Sequence, residues 1–314
     1  MRVTAPTTIG VLGGVGPAAG ILLHQTILQH TESNGVDQGH LNVCHFSRPA
    51  DIASRVEFLI AYNQQYGHPT SAMSSFSLDN KSTSRNGSEA DAESVDGKAE
   101  RRLKRIDVEN PADGMARTFE MLRKLDVPVV AGIPCITFHV KPIWNEFLRL
   151  ISQEDHASAA NDKAEVRCLN MLDETMRLIS EVAPSSRRIG VMSTIGTREA
   201  RVFHDLLESR GYEVVEVSED TQLELQDTIQ NPVWGIKSNA PNVRPQCITN
   251  FHKYARQLVA DGAELLILGC TEIPFAFMGL SSFEGVPLLD PLVALARALI
   301  REVDPLRLKS LTLR

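Results

Sequence analysis

Two apolar stretches of the chain end in residues that can carry out acid–base chemistry. The first, 127–139, leads into Cys135, and the second, 264–275, leads into Cys270. Both cysteines are followed closely by polar side chains, namely Thr137, His139, Thr271 and Glu272. A thiolate is both a base and a nucleophile. Two thiols on opposite faces of one carbon would suit removal of a proton from one side and donation from the other.

Such a pair of thiols needs help from neighbouring groups. A free thiol has a pKa of about 8.5 and is mostly protonated at neutral pH, so a nearby cation or base must assist its ionisation. His139 and Glu272 are candidates for this role, although each is also an ordinary loop residue by type. The two hydroxyls, Thr137 and Thr271, can donate hydrogen bonds to a substrate carboxylate.

The other cysteines are better interpreted as packing residues. Cys44 lies inside a predicted strand, and Cys168 and Cys247 lie near the starts of predicted helices. Five cysteines, an odd number, with no CxxC pair do not indicate a disulfide framework. Zinc bound by Cys135, His139 and Cys270 is an alternative, but the spacing matches no known finger, and we predict no metal.

A glycine turn near the N-terminus indicates close approach of the backbone to a ligand. The sequence "GGVGP", which includes Gly14, follows a short apolar strand and precedes a helix that begins near Pro17. It lacks the Lys-Ser/Thr of a P-loop and the third glycine and downstream acid of a dinucleotide fold. The glycines instead favour approach to a small anionic ligand.

Apolar strands alternate with helical patterns along the chain, which is typical of parallel sheets with right-handed crossovers. This alternation of strands and helices occurs in both halves of the chain. We therefore predict an α/β protein with two similar domains, each with a mainly parallel sheet flanked by helices. Ligands bind beyond the carboxyl ends of the strands in such sheets. Cys135 and Cys270 each follow such a strand, one per half, which predicts an active site in the interdomain cleft.

Composition changes set the expected domain boundaries. The first domain is predicted to comprise 1–155 and 287–314, and the second 164–286. A serine-rich stretch at 64–105 has almost no periodicity and is predicted to be a disordered insertion in the first domain. A helix is expected over 168–183, and another over 197–211.

Bulk properties exclude several functions. The formal net charge is −7 with a pI of about 5.7, which argues against nucleic-acid binding. No apolar run approaches the roughly 18 residues typical of a membrane span, and the N-terminus does not have the pattern of a signal peptide. We therefore expect a cytoplasmic protein with neither nucleic-acid nor membrane partners.

The motifs resemble those of the aspartate/glutamate racemases, and the aspartate racemase branch in particular. "PCITFH" resembles the motif of the first cysteine in that family, and "GCTE" matches the motif of the second. "IGVLGGVGP" resembles the opening glycine loop, and "LLDP" a late family motif. The resemblance covers nearly the whole chain outside the two polar insertions. It implies two α/β domains, racemisation of a small acidic amino acid without pyridoxal phosphate or another cofactor, and a homodimer.

The resemblance also implies which residues bind substrate. Cys135 and Cys270 would exchange the proton at Cα. The "RPADIASR" segment places Arg55 where the family has an arginine that contacts a carboxylate, and "WGIKSN" places Lys237 at a lysine that faces the active site. The implied substrate-binding residues are Gly14, Arg55, Thr137, Thr194, Lys237, Thr271 and Glu272, with Thr197 beside them.

One position departs from the family pattern. Ile136 stands where the family has an asparagine whose amide helps to hold the amino-acid head of the substrate. Loss of one polar contact in a buried site costs on the order of 1–3 kcal/mol. Two alternatives therefore remain beside the racemase: a non-catalytic protein that binds a small acid, and a related enzyme such as a decarboxylase or a maleate isomerase.

Overall fold

The computed structural model describes residues 6–66, 108–157 and 165–311. Most of the serine-rich insertion predicted at 64–105 lies outside the described residues. Its first three residues do not, because 64–66 form the last turn of a helix. Among the described residues, no helix has the length and apolar character that a membrane crossing requires.

Two mainly parallel sheets form the framework of the molecule. The first has the order β2-β1-β3-β4, and all of its pairs are parallel. Its strands are β1 (Thr8–Gly13), β2 (Val43–Ser47), β3 (Val129–Gly132) and β4 (Val166–Leu169). The central strands β1 and β3 are fully buried, as expected for parallel strands with helices on both faces.

The second sheet has the order β6-β5-β7-β9-β8. Its strands are β5 (Arg188–Ser193), β6 (Glu213–Val215), β7 (Leu265–Gly269), β8 (Ser282–Phe283) and β9 (Val286–Leu289). Only the short edge strand β8 is antiparallel to its neighbour. The predicted α/β class, with mainly parallel sheets flanked by helices, is confirmed.

Eleven α-helices of the described chain connect and cover these sheets. They are α1 (Pro17–His30), α2 (Arg55–Tyr66), α3 (Pro111–Arg123), α4 (Lys141–Ala157), α5 (Met171–Val182), α6 (Ile195–Glu199), α7 (Val202–Glu208), α8 (Glu219–Gln230), α9 (Ile236–Asn239), α10 (Pro245–Ala260) and α11 (Pro291–Val303). The predicted helix over 197–211 is wrong, because Arg201 adopts a left-handed conformation at φ 51° and separates α6 from α7.

The segment around Cys168 also differs from its prediction. The expected helix over 168–183 begins only at Met171, since the side chain of Asn170 accepts a hydrogen bond from the Leu172 amide at 2.8 Å and caps α5 there. The preceding residues form β4, which pairs with β3 in the first sheet. The prediction placed this strand, from 164 onward, in the second domain; four residues are too few for periodicity to reveal the sheet they join.

The chain returns to the first sheet at its C-terminal end. Strand β9 still pairs with β7 in the second sheet, although the predicted boundary lay at 287. Helix α11 then packs against α1 and α5. Its Leu295 lies so close to Gly132 of β3 that a Cβ there would come within 3.0 Å of the leucine side chain. The apolar α11 therefore completes the core of the first sheet.

Asp290 caps α11 by accepting a hydrogen bond from the Leu292 amide at 2.8 Å, and burial raises the pKa of its carboxyl to about 7. A raised folded-state pKa means that the native protein binds this proton more tightly than the unfolded chain, so this group weakens stability as pH rises from about 4 to about 7. We expect Asp290→Asn, which keeps the capping oxygen, to reduce the fall in Tm between pH 5 and pH 8. An unchanged fall in calorimetric scans would contradict this assignment.

Candidate active site

Cys135 lies just beyond the carboxyl end of β3 and is 9% exposed. The chain turns from an extended conformation at Cys135 into a short 3₁₀ helix, Ile136–His139. The Nδ1 of His139 lies 2.8 Å from the carbonyl oxygen of Cys135. Because a carbonyl only accepts, Nδ1 donates, and this bond ties the imidazole to the backbone of the loop.

Cys270 follows the last residue of β7 directly and is 7% exposed. Its Sγ donates to Oε2 of Glu272 at 3.0 Å, and the hydroxyl of Thr271 donates to the same oxygen at 3.1 Å. Glu272 is itself only 4% exposed. The second thiol is thus held against a buried carboxylate that accepts its hydrogen bond.

Burial and neighbouring charges determine the protonation states of Cys270 and Glu272. Burial, followed by the charge of Glu272, raises the pKa of the Cys270 thiol to about 12, so the thiol form is the resting state. Burial also raises the pKa of the Glu272 carboxyl. The charge of Lys237 and the hydrogen bonds from Cys270 and Thr271 outweigh that effect and leave the pKa below its ordinary value. Glu272 is therefore an ionised acceptor.

Lys237 connects the two halves of the site. It lies on the short helix α9, and its Nζ is 3.7 Å from Oε2 of Glu272. Its pKa is raised, first by the charge of Cys270 and then by those of Glu272 and Cys135, against the effects of burial and of Arg55. Both thiols and the arginine therefore lie within electrostatic reach of one ammonium group.

Three threonines form a hydroxyl chain between the two sheets. Thr194 follows β5 and caps α6, and its Oγ1 lies 2.9 Å from that of Thr197. The Thr197 hydroxyl lies 3.3 Å from that of Thr137, in the loop after Cys135. The predicted residues Thr137 and Thr194 are thus brought together through Thr197.

The glycine loop approaches the carboxylate side of the site. Gly14 has a φ of +96°, and a Cβ there would lie 2.7 Å from the Arg48 amide, so only glycine fits without strain. A Cβ on Gly16 would lie 3.4 Å from Oε1 of Glu272. The loop after β1 therefore reaches the loop after β7.

Arg55 begins α2 and is half-buried. Its Nε is shielded from solvent and has no hydrogen-bond partner among the described residues. Its charge lowers the pKa of Lys237, which places the two cations in one electrostatic environment. An unpartnered guanidinium nitrogen beside a second cation suits an anionic group.

Ile136, the residue that departs from the family pattern, is 3% exposed and belongs to a hydrophobic cluster with members from both sheets. It contributes no polar atom to the loop between Cys135 and Thr137.

Two buried glutamines support the site and were missed in the sequence. Gln222 donates to the carbonyl of Ser193 at 2.9 Å, and Gln226 accepts from the amide of Ile195 at 2.8 Å. Both lie on α8 and hold the loop that carries Thr194. Their spacing of four residues, on the same helical face as the apolar Leu225 and Ile229, is the sequence signal that would have identified them.

The zinc alternative finds no support in the arrangement of its ligands. Among the residues that the structure describes, no group of three His, Cys, Asp or Glu side chains has the proximity needed to hold a metal. The Nδ1 of His139 is engaged by the backbone, and burial lowers the pKa of this imidazole to about 4.

Glu272→Gln tests the role of the carboxylate. The amide oxygen can still accept the hydrogen bond from Cys270 but carries no charge to pair with Lys237, so we expect turnover to fall by about 10²–10³-fold, the usual effect of removing one preorganised polar group. Removal of the negative charge should at the same time lower the pKa of the Cys270 thiol. Alkylation of Cys270 by iodoacetamide, followed over pH by mass spectrometry, should therefore begin at lower pH. An alkylation profile that moves the other way would refute the assigned coupling.

Two mainly parallel sheets, each with a thiol beyond the carboxyl end of an inner strand, form the framework of the candidate site. Residues 155–299 match the Asp/Glu/Hydantoin racemase family model. The resemblance predicted from the motifs is therefore confirmed for this part of the chain. The matched region includes Thr194, Lys237 and Cys270. It begins after Cys135, which therefore lies outside it.

Solved structures show the same fold at low sequence identity. The chain is similar to an aspartate racemase from Picrophilus torridus, with 17% identity over 95% of this chain and 94% of that chain and a TM-score of 0.60. An aspartate racemase homologue from Pyrococcus horikoshii OT3 has 14% identity over 94% and 98%, with a TM-score of 0.58. A glutamate racemase from Francisella tularensis, in complex with D-glutamate, has 12% identity over 98% and 85%, with a TM-score of 0.51.

Proposed function

We propose that this protein is a racemase of a small acidic amino acid, with aspartate as the first candidate and glutamate as the second, and that it needs no pyridoxal phosphate. The observation that carries the proposal is the position of Cys135 and Cys270 beyond two strand ends, with the Cys270 thiol 3.0 Å from a carboxylate that pairs with Lys237 at 3.7 Å. Each of these cysteines extends the carboxyl end of an inner strand, where α/β sheets bind ligands.

In the proposed reaction, the Cα–H bond of the substrate breaks and its proton passes to the thiolate of one cysteine. The electron pair is delocalised into the α-carboxylate, and the thiol of the other cysteine then protonates the opposite face of Cα. The resting form of Cys270 is the thiol, which can protonate Cα. In that direction of the reaction, Cys135 is the base that removes the proton from the other face. For the other enantiomer the roles reverse: the Cys270 thiolate takes the proton from Cα, and the thiol of Cys135 donates its proton to the opposite face.

The surrounding groups would bind the charge of the substrate. Lys237 and Arg55 would neutralise its carboxylates and the negative charge that grows on the α-carboxylate in the transition state. The hydroxyls of Thr137, Thr194 and Thr271 would add hydrogen bonds, and the loop at Gly14 allows the backbone to approach. Two cations beside several hydroxyls suit a ligand with two carboxylates.

The decisive experiment is incubation of the purified protein with L-aspartate or L-glutamate, in parallel, followed by chiral chromatography. Conversion to the D-enantiomer without added cofactor is the expected result for at least one of the two. The proposal would be rejected if neither enantiomer of aspartate and neither enantiomer of glutamate were converted.

The buried, apolar Ile136 favours a second candidate, an altered substrate or a non-catalytic acid-binding protein. Without a polar atom at this position, the loop offers one partner fewer to an amino group. The same assay extended to maleate and to substituted malonates tests this candidate. Turnover of a dicarboxylate without an amino group, or calorimetric binding of acids without any turnover, would favour it over the racemase.

A further inference from the structure

A small cavity lies between helices α5 and α11, and its lining includes none of the residues of the candidate active site. Its volume is about 60 Å³, several times the roughly 10–15 Å³ that one water needs. One face of each helix, with residues spaced three and four apart, forms the walls, and Leu308 of the C-terminal segment closes them. Most of the lining side chains are charged, namely Glu174, Arg177, Glu181, Arg297 and Arg301.

Arg297 is the buried cation of this cavity. It is 7% exposed, and it forms no ion pair with a carboxylate of the described residues. Its Nη1 donates to the carbonyl of Lys309 at 2.9 Å and lies 3.4 Å from Nδ1 of His30. Burial, followed by the charges of Arg297 and Lys309, lowers the pKa of His30 to about 4, so this imidazole is neutral. Because a buried charge without a paired ion is costly, an anion beside Arg297 would be stabilising.

Two further nitrogens of this guanidinium can reach a ligand. Nε and Nη2 have no hydrogen-bond partner among the described residues, and neither is closed off from solvent. Since Arg297 lines the cavity and is otherwise buried, these N–H groups are available on that side. The edge formed by Nε and Nη2 can donate two parallel hydrogen bonds to two oxygens of one oxyanion.

The two glutamates of the lining are already paired with the other two arginines. Arg301 pairs with Glu174 at 2.6 Å. Arg177 pairs with Glu181 at 3.4 Å. Burial lowers the pKa of Arg297, the charge of Glu181 raises it, and the charge of Arg301 lowers it further. Three arginines and two glutamates leave one positive charge in excess, and Arg297 is the arginine without a direct acidic partner.

We propose that this cavity binds one free inorganic oxyanion, of the size and charge of phosphate or sulfate, on the Nε–Nη2 edge of Arg297. The volume suits the ion itself, because a phosphate ester would need additional room for its organic group. The bound ion would neutralise the excess charge and hold α5, α11 and the C-terminal segment together. The site is separate from the proposed racemase site and does not depend on it.

Isothermal calorimetry of the full chain tests this proposal, with sodium phosphate as the probe in sodium chloride at neutral pH and constant ionic strength. Saturable binding of one phosphate is expected, and phenyl phosphate should bind about tenfold more weakly because its ring has no space. Arg297→Met removes the guanidinium but keeps an apolar side chain, and should weaken phosphate binding by about 10–100-fold. Arg256→Met is the control, at an exposed arginine paired with Glu284 at 2.8 Å, and should bind phosphate as the wild type does. The proposal would be overturned if the wild type bound no phosphate or if Arg297→Met bound it equally well.

Glu181→Gln gives an independent test in the opposite direction, which holds even if Arg297→Met fails to fold. The substitution removes a negative charge from the lining at a half-exposed residue. Phosphate should therefore bind about twofold to fivefold more tightly, the effect of one nearby charge in a watery environment. In thermal scans, replacing chloride by phosphate at equal ionic strength should raise the Tm of the wild type and leave that of Arg297→Met unchanged. Weaker phosphate binding by Glu181→Gln would contradict the assignment, whether or not the protein racemises aspartate.

Discussion

Alanine in place of Cys270 is expected to lower the racemisation of aspartate by about 10²–10⁴-fold, the range typical for loss of a positioned proton-transfer group. The Sγ atom lies 3.0 Å from Glu272, and no other described thiol shares that carboxylate. Alanine leaves nothing to protonate one face of Cα. Chiral chromatography of timed samples measures the loss, and the Cys135→Ala variant should behave alike if the two thiols act as a pair.

Deuterium exchange makes this test specific. In heavy water, each single variant should lose most of its incorporation of deuterium at Cα, followed by NMR. The matched control is Cys44→Ala, which removes a half-buried thiol from β2, outside the site, and should keep about the wild-type rate. Exchange at the full wild-type rate in either single variant would eliminate the two-thiol mechanism.

The second large effect is expected at Lys237. Replacement by methionine keeps much of the side-chain volume but removes the cation that pairs with Glu272 at 3.7 Å and that lies within reach of both thiols. We expect kcat/KM to fall by about 10²–10³-fold, since preorganised charges that stabilise a developing anion have effects of this size. Steady-state kinetics with aspartate measures the fall.

The pH profile separates this role from a purely structural one. The charge of Lys237 lowers the pKa of the Cys270 thiol, against the larger effect of burial. Without the lysine, the pKa of the thiol should rise further, so the remaining activity should move to higher pH. Lys253→Met is the control, because this lysine forms an exposed ion pair with Glu224 at 2.6 Å. A Lys237→Met enzyme with an unshifted profile would argue against the proposed coupling.

The positions of the two candidate thiols at strand ends were predictable because local patterns are strong there. The runs before Cys135 and Cys270 are apolar and short, as buried parallel strands are, and they became β3 and β7. In parallel sheets, residues beyond the carboxyl ends of strands lie at one edge. Placement of the two thiols at such edges therefore followed from local pattern alone.

Assignment of segments to sheets was less predictable. Strands β4 and β9 each have four residues and contain no signal for the partner strand they choose. Their pairing with β3 and β7 depends on the lengths and packing of the helices that precede them. The break at Arg201 was also missed, because the helical pattern of the sequence continues through this residue.

The amino-acid sequence by itself determined the α/β class, the two strand-end thiols and the hydroxyls beside them, because each depends on a few neighbouring residues. Only the tertiary structure decided that Lys237 lies beside Glu272 and that Thr137 reaches Thr197. These contacts join residues far apart in the chain. Their distances depend on how the two sheets and their helices pack, which no local pattern of residues encodes.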